Sequence, residues 1–488
     1  MAYLVSTGLD SLPGPTVVVL GGGFAGITLI QKLAKQPVKV LLIDQNNFHT
    51  FQPLLYQVAT GSLAPDNIGF PFRRKIAKIP NVAFRKAVVQ SVDTNQQHVH
   101  TDQGIFAYDY LVVATGSKTN FFGNEALERN SLQLKSIAQA LDIRSDFLQE
   151  FEDALYLQDD DRRSALNFVI VGGGPTGVEV AGALAEIRKN ILAEEYKEVD
   201  SETMQITLIE AGPCVLSSFS EKSSHVAQEY LRSMGVQLRL GQRVLDYDGE
   251  VLSLSTGESL RSRTVIWSAG VMGAAVSGLP ENVYTRANRL SVNDFLQVDG
   301  VSKVFAVGDV AFVGPKGHPM VAPVAIQQAE VLSKNLLLLA SNAAPAHPFR
   351  YRDQGNLATI GHNSAVVDLS TPFAGGAPLN RSVTLFLKKT KAYPPTRCGV
   401  CWNARVQTLR PCLHQCATLH HVNGRQTRTG RINAHTHLTT ACWVKPMALQ
   451  ILANMLEKNL LVQALKSKAQ VGKILSGLAM VSILSPVD

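Results

Sequence analysis

Short, uncharged, β-branched runs alternate with longer stretches of helical periodicity through most of the chain. That pattern predicts a parallel sheet covered on both faces. Thr16–Leu20 (TVVVL) reads as a first buried strand, Ile27–Lys35 as a helix, and Val38–Ile43 (VKVLLI) as a second strand ending at Asp44. The same order returns about 150 residues later: strand Asn167–Val171, helix Val178–Lys189, strand Gln205–Ile209, then Glu210. Tyr108–Gly116 and Thr264–Gly270 add one further strand to each set, Val304–Asp309 another apolar run, and Ala325–Ala340 a long helix. Asp159–Arg163 reads as a solvated bend before the second set.

Each first strand runs into G-x-G-x-x-G: Gly21-Gly22-Gly23-Phe24-Ala25-Gly26, and Gly172-Gly173-Gly174-Pro175-Thr176-Gly177. In that order the first glycine (Gly21, Gly172) makes the tight turn. The second (Gly23, Gly174) lets backbone approach a pyrophosphate, and the third (Gly26, Gly177) lets helix and strand pack closely. The helix N-terminus then offers free N–H groups to phosphate. Asp44 and Glu210 stand where a carboxylate accepts ribose hydroxyls, and at Glu210 the charge would repel a 2′-phosphate, which favours NADH. Two such signals predict an α/β chain of two Rossmann-like dinucleotide-binding folds, one for a flavin and one for a nicotinamide.

The 488 residues are too many for one ordinary domain, and 45% apolar residues supply a large core. The net charge of +7 averages two unlike parts. Residues 371–488 hold 15 Lys+Arg against Glu457 and Asp488, whereas residues 1–370 hold 31 Lys+Arg against 37 Asp+Glu. Five of the six cysteines also follow residue 371, and a body with Cys214 alone has no disulfide framework, as in a reducing cytosolic compartment. Cys214 reads as a buried bystander. The lack of any cysteine between Gly26 and Gly172 argues against thiol–disulfide chemistry beside a flavin. The opening residues lack a basic leader, and no run of 18 consecutive apolar residues suggests a membrane span.

Further segments carry a resemblance. Gln45–Gly61 (QNNFHTFQPLLYQVATG), YDYLVVATG, GGGPTGVEVAGALAE, VFAVGD, APVAIQQA and Gly355–Leu369 (GNLATIGHNSAVVDL) occur in order over residues 15–370. Together they resemble the type II NADH:quinone oxidoreductases, non-proton-pumping respiratory flavoenzymes with the NADH fold inserted in the FAD fold. The resemblance implies an FAD domain over 15–125 and 286–370 and an NADH domain over 126–285. It places Gly21, Gly23, Ala25, Gly26, Asp44, Gln52, Thr115, Gly116 and Asp309 on FAD, and Gly172, Gly174, Gly177, Glu210 and Gly270 on NADH. It sets Glu179 at the nicotinamide–flavin contact and Gln327 and Gln328 at the quinone end, with Glu186 farther off and His49, Phe51, Gln52 and Tyr56 around the flavin. Pro323 and Ala329 depart from the family's common glutamine and glycine, which bears on quinone preference more than on reaction class. The implied partner is a membrane quinone, reached from the cytoplasmic face by a peripheral enzyme; a homodimer is compatible with it. A soluble NAD(P)H-dependent flavin reductase and a non-enzymatic FAD/NADH redox sensor remain alternatives.

Residues 371–445 do not resemble the family's membrane-docking helices. Cys398, Cys401, Cys412 and Cys416 have spacings that suit zinc, but without a knuckle pattern between them no metal site is assigned. A basic, poorly ordered insert and a disrupted reading frame are the other readings. Little aromatic interleaving argues against nucleic acid. In Pro446–Leu484 a narrow stripe of Gln450, Asn454, Glu457 and Lys458 among Leu, Ile and Met predicts amphipathic helices, suited either to an anionic membrane surface or to packing on the body.

Overall fold

The computed structural model describes residues 3–361, 364–370 and 382–388, with backbone alone for 369–370 and 382–388. The expectations for zinc and amphipathic surface helices therefore lie outside the described residues, as does the basic insert apart from the strand Ser382–Lys388, which pairs with Ser364–Ser370.

Two five-stranded parallel sheets form the body. The first has the order Val304–Ala306, Tyr110–Val113, Thr16–Leu20, Lys39–Asp44, Val82–Lys86. The second has the order Leu132–Gln133, Thr264–Trp267, Asn167–Val171, Gln205–Glu210, Val236–Leu240. The central strands are apolar because both faces are covered: Val17, Val18, Val19 and Leu20 are wholly buried, as are Phe168, Val169 and Ile170. In each sheet the strand bearing the terminal acid lies beside the glycine strand, in register Leu20 to Ile43 and Val171 to Ile209. The predicted α/β class and duplicated architecture are present.

Three helices start earlier than their periodicity suggests, at Phe24, Pro175 and Ala322. In the first two, the last residues of the glycine motif already form the first turn, with Gly23 and Gly174 as extended N-caps. Proline fits the first turn of the second and third because the N–H it lacks has no intrahelical partner there. Asp159–Ala165 is a short helix and not a bend. Its three leading aspartates and following arginines match the helix dipole at each end.

The chain passes between the sheets on an antiparallel ribbon, Ser117–Thr119 against Val271–Gly273. After it, Val276, Leu279 and Val283 already pack into the first core. The first glycine helix, Phe24–Leu33, packs against the long helix Ala322–Ala340, and Lys32 pairs with Glu330 at 2.9 Å on their exposed side. Asn356–Thr359 pairs antiparallel with Ser364–Ser370 and lies against the second glycine helix, Pro175–Ile187. Among the described residues no helix is long and apolar enough to cross a membrane.

Phe72 supports the first glycine turn from below. It is wholly buried, tilts against Phe84 with centroids 5.1 Å apart, and fills the space a side chain at Gly22 would need. Phe72→Ala should cost about 3–5 kcal/mol, the usual loss for a buried aromatic. A denaturant midpoint unchanged from wild type would show that the turn does not depend on this ring.

Candidate functional site

The two glycine turns are built alike, down to individual hydrogen bonds. Gly21 and Gly172 have φ of 99° and 111°, which a side chain rarely adopts, and a Cβ at Gly21 would stand 2.5 Å from the Ala114 carbonyl oxygen. Gly26 and Gly177 sit so close to the carbonyls of Gly21 and Gly172 that a Cβ would overlap them. Gly23 and Gly174 differ from both: no atom lies within 4 Å of the place a Cβ would take. That open space over the helix N-terminus is what a pyrophosphate requires.

The terminal acids close each turn. Asp44 Oδ2 accepts the Gly22 N–H at 2.7 Å and Oδ1 the Asn46 N–H at 2.7 Å. Glu210 Oε2 accepts the Gly173 N–H at 2.5 Å and Oε1 the Gly212 N–H at 2.7 Å. A carboxylate has about four acceptor positions, so each acid keeps capacity for ribose hydroxyls. Burial raises the Asp44 pKa, against the pull of the Gly22 and Asn46 N–H groups.

His49 lies beneath the first turn. It is buried, its Nδ1 is 2.8 Å from the Gly22 carbonyl oxygen, and Phe24 stands edge-on at 5.4 Å. Burial lowers its pKa, against the pull of the Gly22 carbonyl, and the ring serves the turn. Gln52 opens a short 3₁₀ helix and is exposed. Thr115 donates to the Ala274 carbonyl at 2.6 Å, and Gly116 accepts the Ala274 N–H at 3.0 Å, which ties the return turn to the ribbon. Gly270, at φ 78°, lies under Phe122.

Asp309 follows Gly308, where a Cβ would stand 3.5 Å from the Cβ atoms of both Ala25 and Ala325. Its Oδ2 accepts the Ser117 hydroxyl at 2.7 Å, and Ser117 accepts the Lys135 ammonium at 3.0 Å. Gln328 is fully buried and takes the Gly308 N–H on Oε1 at 2.6 Å, leaving Nε2 buried without a hydrogen bond. Gln327 faces elsewhere: its amide forms a reciprocal pair with the Arg352 backbone, 3.0 Å each way. The two neighbouring glutamines are thus not side by side in one site.

Glu179, in the first turns of the second glycine helix, meets a different group of residues. Its Oε1 lies 3.4 Å from the Thr359 hydroxyl and 3.5 Å from the Thr359 N–H. That hydroxyl is 2.8 Å from the Tyr56 hydroxyl, to which Gln57 Nε2 donates at 2.9 Å. Burial pushes the Glu179 carboxyl up to about 8, with the Thr359 groups pulling it back. Glu186 lies farther along, against Gly361. Sequence reasoning missed Thr359, Ser117 and Lys135. Thr359 lay inside a recognised segment without a chemical cue, and the other two are single polar residues whose partners are far away in the chain. Cys214 is half-exposed and not buried, because the loop after Glu210 carries it outward. No cluster of metal-ligating side chains occurs among the described residues.

Comparisons with known proteins agree with this geometry. The model of the pyridine nucleotide-disulphide oxidoreductase family matches residues 15–329. Type II NADH:quinone oxidoreductase Ndh of Mycobacterium tuberculosis is 35% identical over 370 residues, which cover 72% of this chain and 79% of that protein. The chain belongs to the type II NADH:quinone oxidoreductase family. The Haemophilus influenzae member is 31% identical over 399 residues, covering 74% of this chain and 88% of its own length. The solved structure of NDH2 from Plasmodium falciparum in complex with NADH shares the fold, with a TM-score of 0.69 at 21% identity, covering 73% of this chain and 90% of that one.

Glu179 makes stability depend on pH with a definite sign. Its folded pKa of about 8 lies above the ordinary 4.5, so the folded chain binds this proton more tightly. The resulting stability is complete at pH below the ordinary value and is lost as pH rises through the folded one. Glu179→Gln should flatten this slope and be relatively more stable than wild type at alkaline pH. Urea midpoints at about pH 5, 7 and 9 measure it; parallel curves for both proteins would mean the carboxyl is ionised when folded.

Proposed function

We propose that this chain oxidises NADH and reduces a quinone through bound FAD, without pumping protons. The observation that carries the reading is the duplicated cradle: two open glycine turns, each closed by a carboxylate, in a chain of this family. The balance is NADH + H⁺ + quinone → NAD⁺ + quinol. Bound FAD would supply the hydride-accepting and two-electron-donating chemistry that links the two substrates.

The residues present fit that cofactor. Gly21, Gly23, Ala25 and Gly26 give a turn with room above Gly23 for a pyrophosphate, Asp44 has acceptor capacity for the adenosine ribose, and Thr115, Gly116 and Asp309 border the same end of the first sheet. The buried, unpartnered Gln328 Nε2 is a donor in want of an acceptor there. Gln52 is assigned to the rim. NADH is assigned to Gly172, Gly174, Gly177, Glu210 and Gly270, with Glu210 holding the ribose. Glu179 holds a proton at its carboxyl at neutral pH, and the quinol must gain two. The Thr359 and Tyr56 hydroxyls hold that carboxyl's orientation. Gln327 and Gln328 are assigned to the quinone side through position, Gln328 by fixing Gly308 and Gln327 by fixing the Arg352 backbone.

We further infer a peripheral enzyme on the cytoplasmic face of a membrane. The excess of 15 Lys+Arg over two acids in residues 371–488 supports attraction to an anionic surface. No nucleic-acid role is assigned, and a homodimer remains an expectation for light scattering to check.

Two experiments test the reading. Mixed anaerobically with NADH, the yellow holoenzyme should bleach, and a short-chain quinone should restore its colour. Bleaching without reoxidation would make it a sensor, and reoxidation by dyes or proteins but never by quinone a soluble reductase. NADH should be preferred over NADPH by about 1–3 kcal/mol, roughly 5- to 150-fold, because Glu210 repels a 2′-phosphate. Glu210→Gln should shrink the ratio. Equal use of both by wild type would withdraw Glu210 from the ribose.

A further inference from the structure

Lys135 stands in an unfavourable place for a lysine. It immediately precedes Ser136, the N-cap of the helix Ile137–Ala154, where the positive end of the dipole repels a cation. Burial lowers its pKa, and only the charge of Asp309 draws it back up. Among the described residues no carboxylate lies within ion-pair distance of it, and its ammonium, with three donors, makes one hydrogen bond, to Ser117. A half-buried cation with one hydrogen bond, beside a helix N-terminus, is held there against both desolvation and the dipole.

Its location suggests what the cost serves. Lys135 follows the edge strand Leu132–Gln133 of the second sheet, yet its ammonium reaches Ser117, which donates to the acid of the first. Ser117 separates the charges, donating to Asp309 and accepting from Lys135. A direct pair would largely cancel, whereas one interposed hydroxyl keeps the cation in place with bonding capacity to spare. Ser117 follows Gly116, over which there is open space, and Asp309 follows Gly308, packed on Ala25 and Ala325. The cluster therefore borders the crevice at the carboxyl end of the first sheet, beside the first glycine turn and the start of the long helix. A second cation, the buried Arg289, also feels Asp309; its two Nη atoms donate to the carbonyls of His318 and Ala311, and its Nε has no hydrogen bond.

We propose that Lys135, held by Ser117 beside Asp309, faces the flavin and raises its reduction potential. This rests on the FAD assignment made above. A group that gains negative charge on reduction is easier to reduce next to a fixed cation in a water-poor site. Because the lysine comes from the second sheet and the acid from the first, the arrangement also couples the potential to how the two sheets sit.

The test is the flavin midpoint potential of holoenzyme, measured against reference dyes, in Lys135→Met, Lys135→Arg and Ser117→Ala. Lys135→Met should shift the flavin equilibrium toward the oxidised form by about tenfold to a hundredfold, or about 30–60 mV more negative at 29.6 mV per decade for two electrons. Lys135→Arg should stay within about threefold of wild type, and Ser117→Ala should shift by less than Lys135→Met in the same direction. Reduction by NADH should slow in Lys135→Met while its melting temperature does not fall. A potential in Lys135→Met within threefold of wild type overturns the proposal, as does Lys135→Arg matching Lys135→Met. If Lys135→Met does not retain FAD, the Lys135→Arg and Ser117→Ala potentials decide. Arginine keeping the wild-type value while Ser117→Ala moves negative upholds it, and any other pairing rejects it. Wild-type protein that binds no FAD would instead defeat the parent assignment.

Discussion

A backbone amide in the middle of each glycine turn, Gly22 in one fold and Gly173 in the other, has no partner within its own helix or strand. A carboxylate at the end of the neighbouring strand takes it up, Asp44 at 2.7 Å and Glu210 at 2.5 Å. A buried N–H left unbonded costs about 1–3 kcal/mol, so the turn and the acid stabilise one another. With the loop held, the first helix turn stays open toward the crevice, and the side chains around it (His49 and Phe72 beneath the first turn) pack against a fixed backbone. The acids are therefore structural and ligand-directed at once.

The site draws on residues far apart in the chain, and each of its parts joins separate elements. Thr359 meets Glu179 and Tyr56 from a strand beyond both sheets, Lys135 reaches across to Ser117, which donates to Asp309, and Gln328 fixes the backbone on which Asp309 sits. Chemistry of this kind needs groups positioned to a fraction of an ångström. Hydrogen bonds between elements, rather than loops hanging free, supply that positioning here.

The features legible in the sequence were those governed by local rules. Glycine spacing after an apolar strand, and an acid at the end of the next, depend on sterics within a few residues, so Gly21–Asp44 and Gly172–Glu210 could be read directly. Helix starts were misplaced because periodicity begins only where side chains pack, one turn after the backbone has become helical. The adjacency of Gln327 and Gln328 suggested a shared target, but successive helix positions point about 100° apart, and the structure gives them different partners. Ser117 and Lys135 carry no local signal. Their meaning comes from the fold bringing positions 117, 135 and 309 together.

The ribbon of Ser117–Thr119 against Val271–Gly273 has a consequence for ancestry and for gene architecture. Because Thr119 is paired with Val271, the intervening 151 residues leave and re-enter the first fold at adjacent points. Such a segment is topologically closed: it can enter a host gene at one position without stretching the recipient's backbone. An ancestor with a single dinucleotide fold could thus have acquired a copy of itself as an internal duplication, and the matched hydrogen bonds of the two turns are the trace such an event would leave.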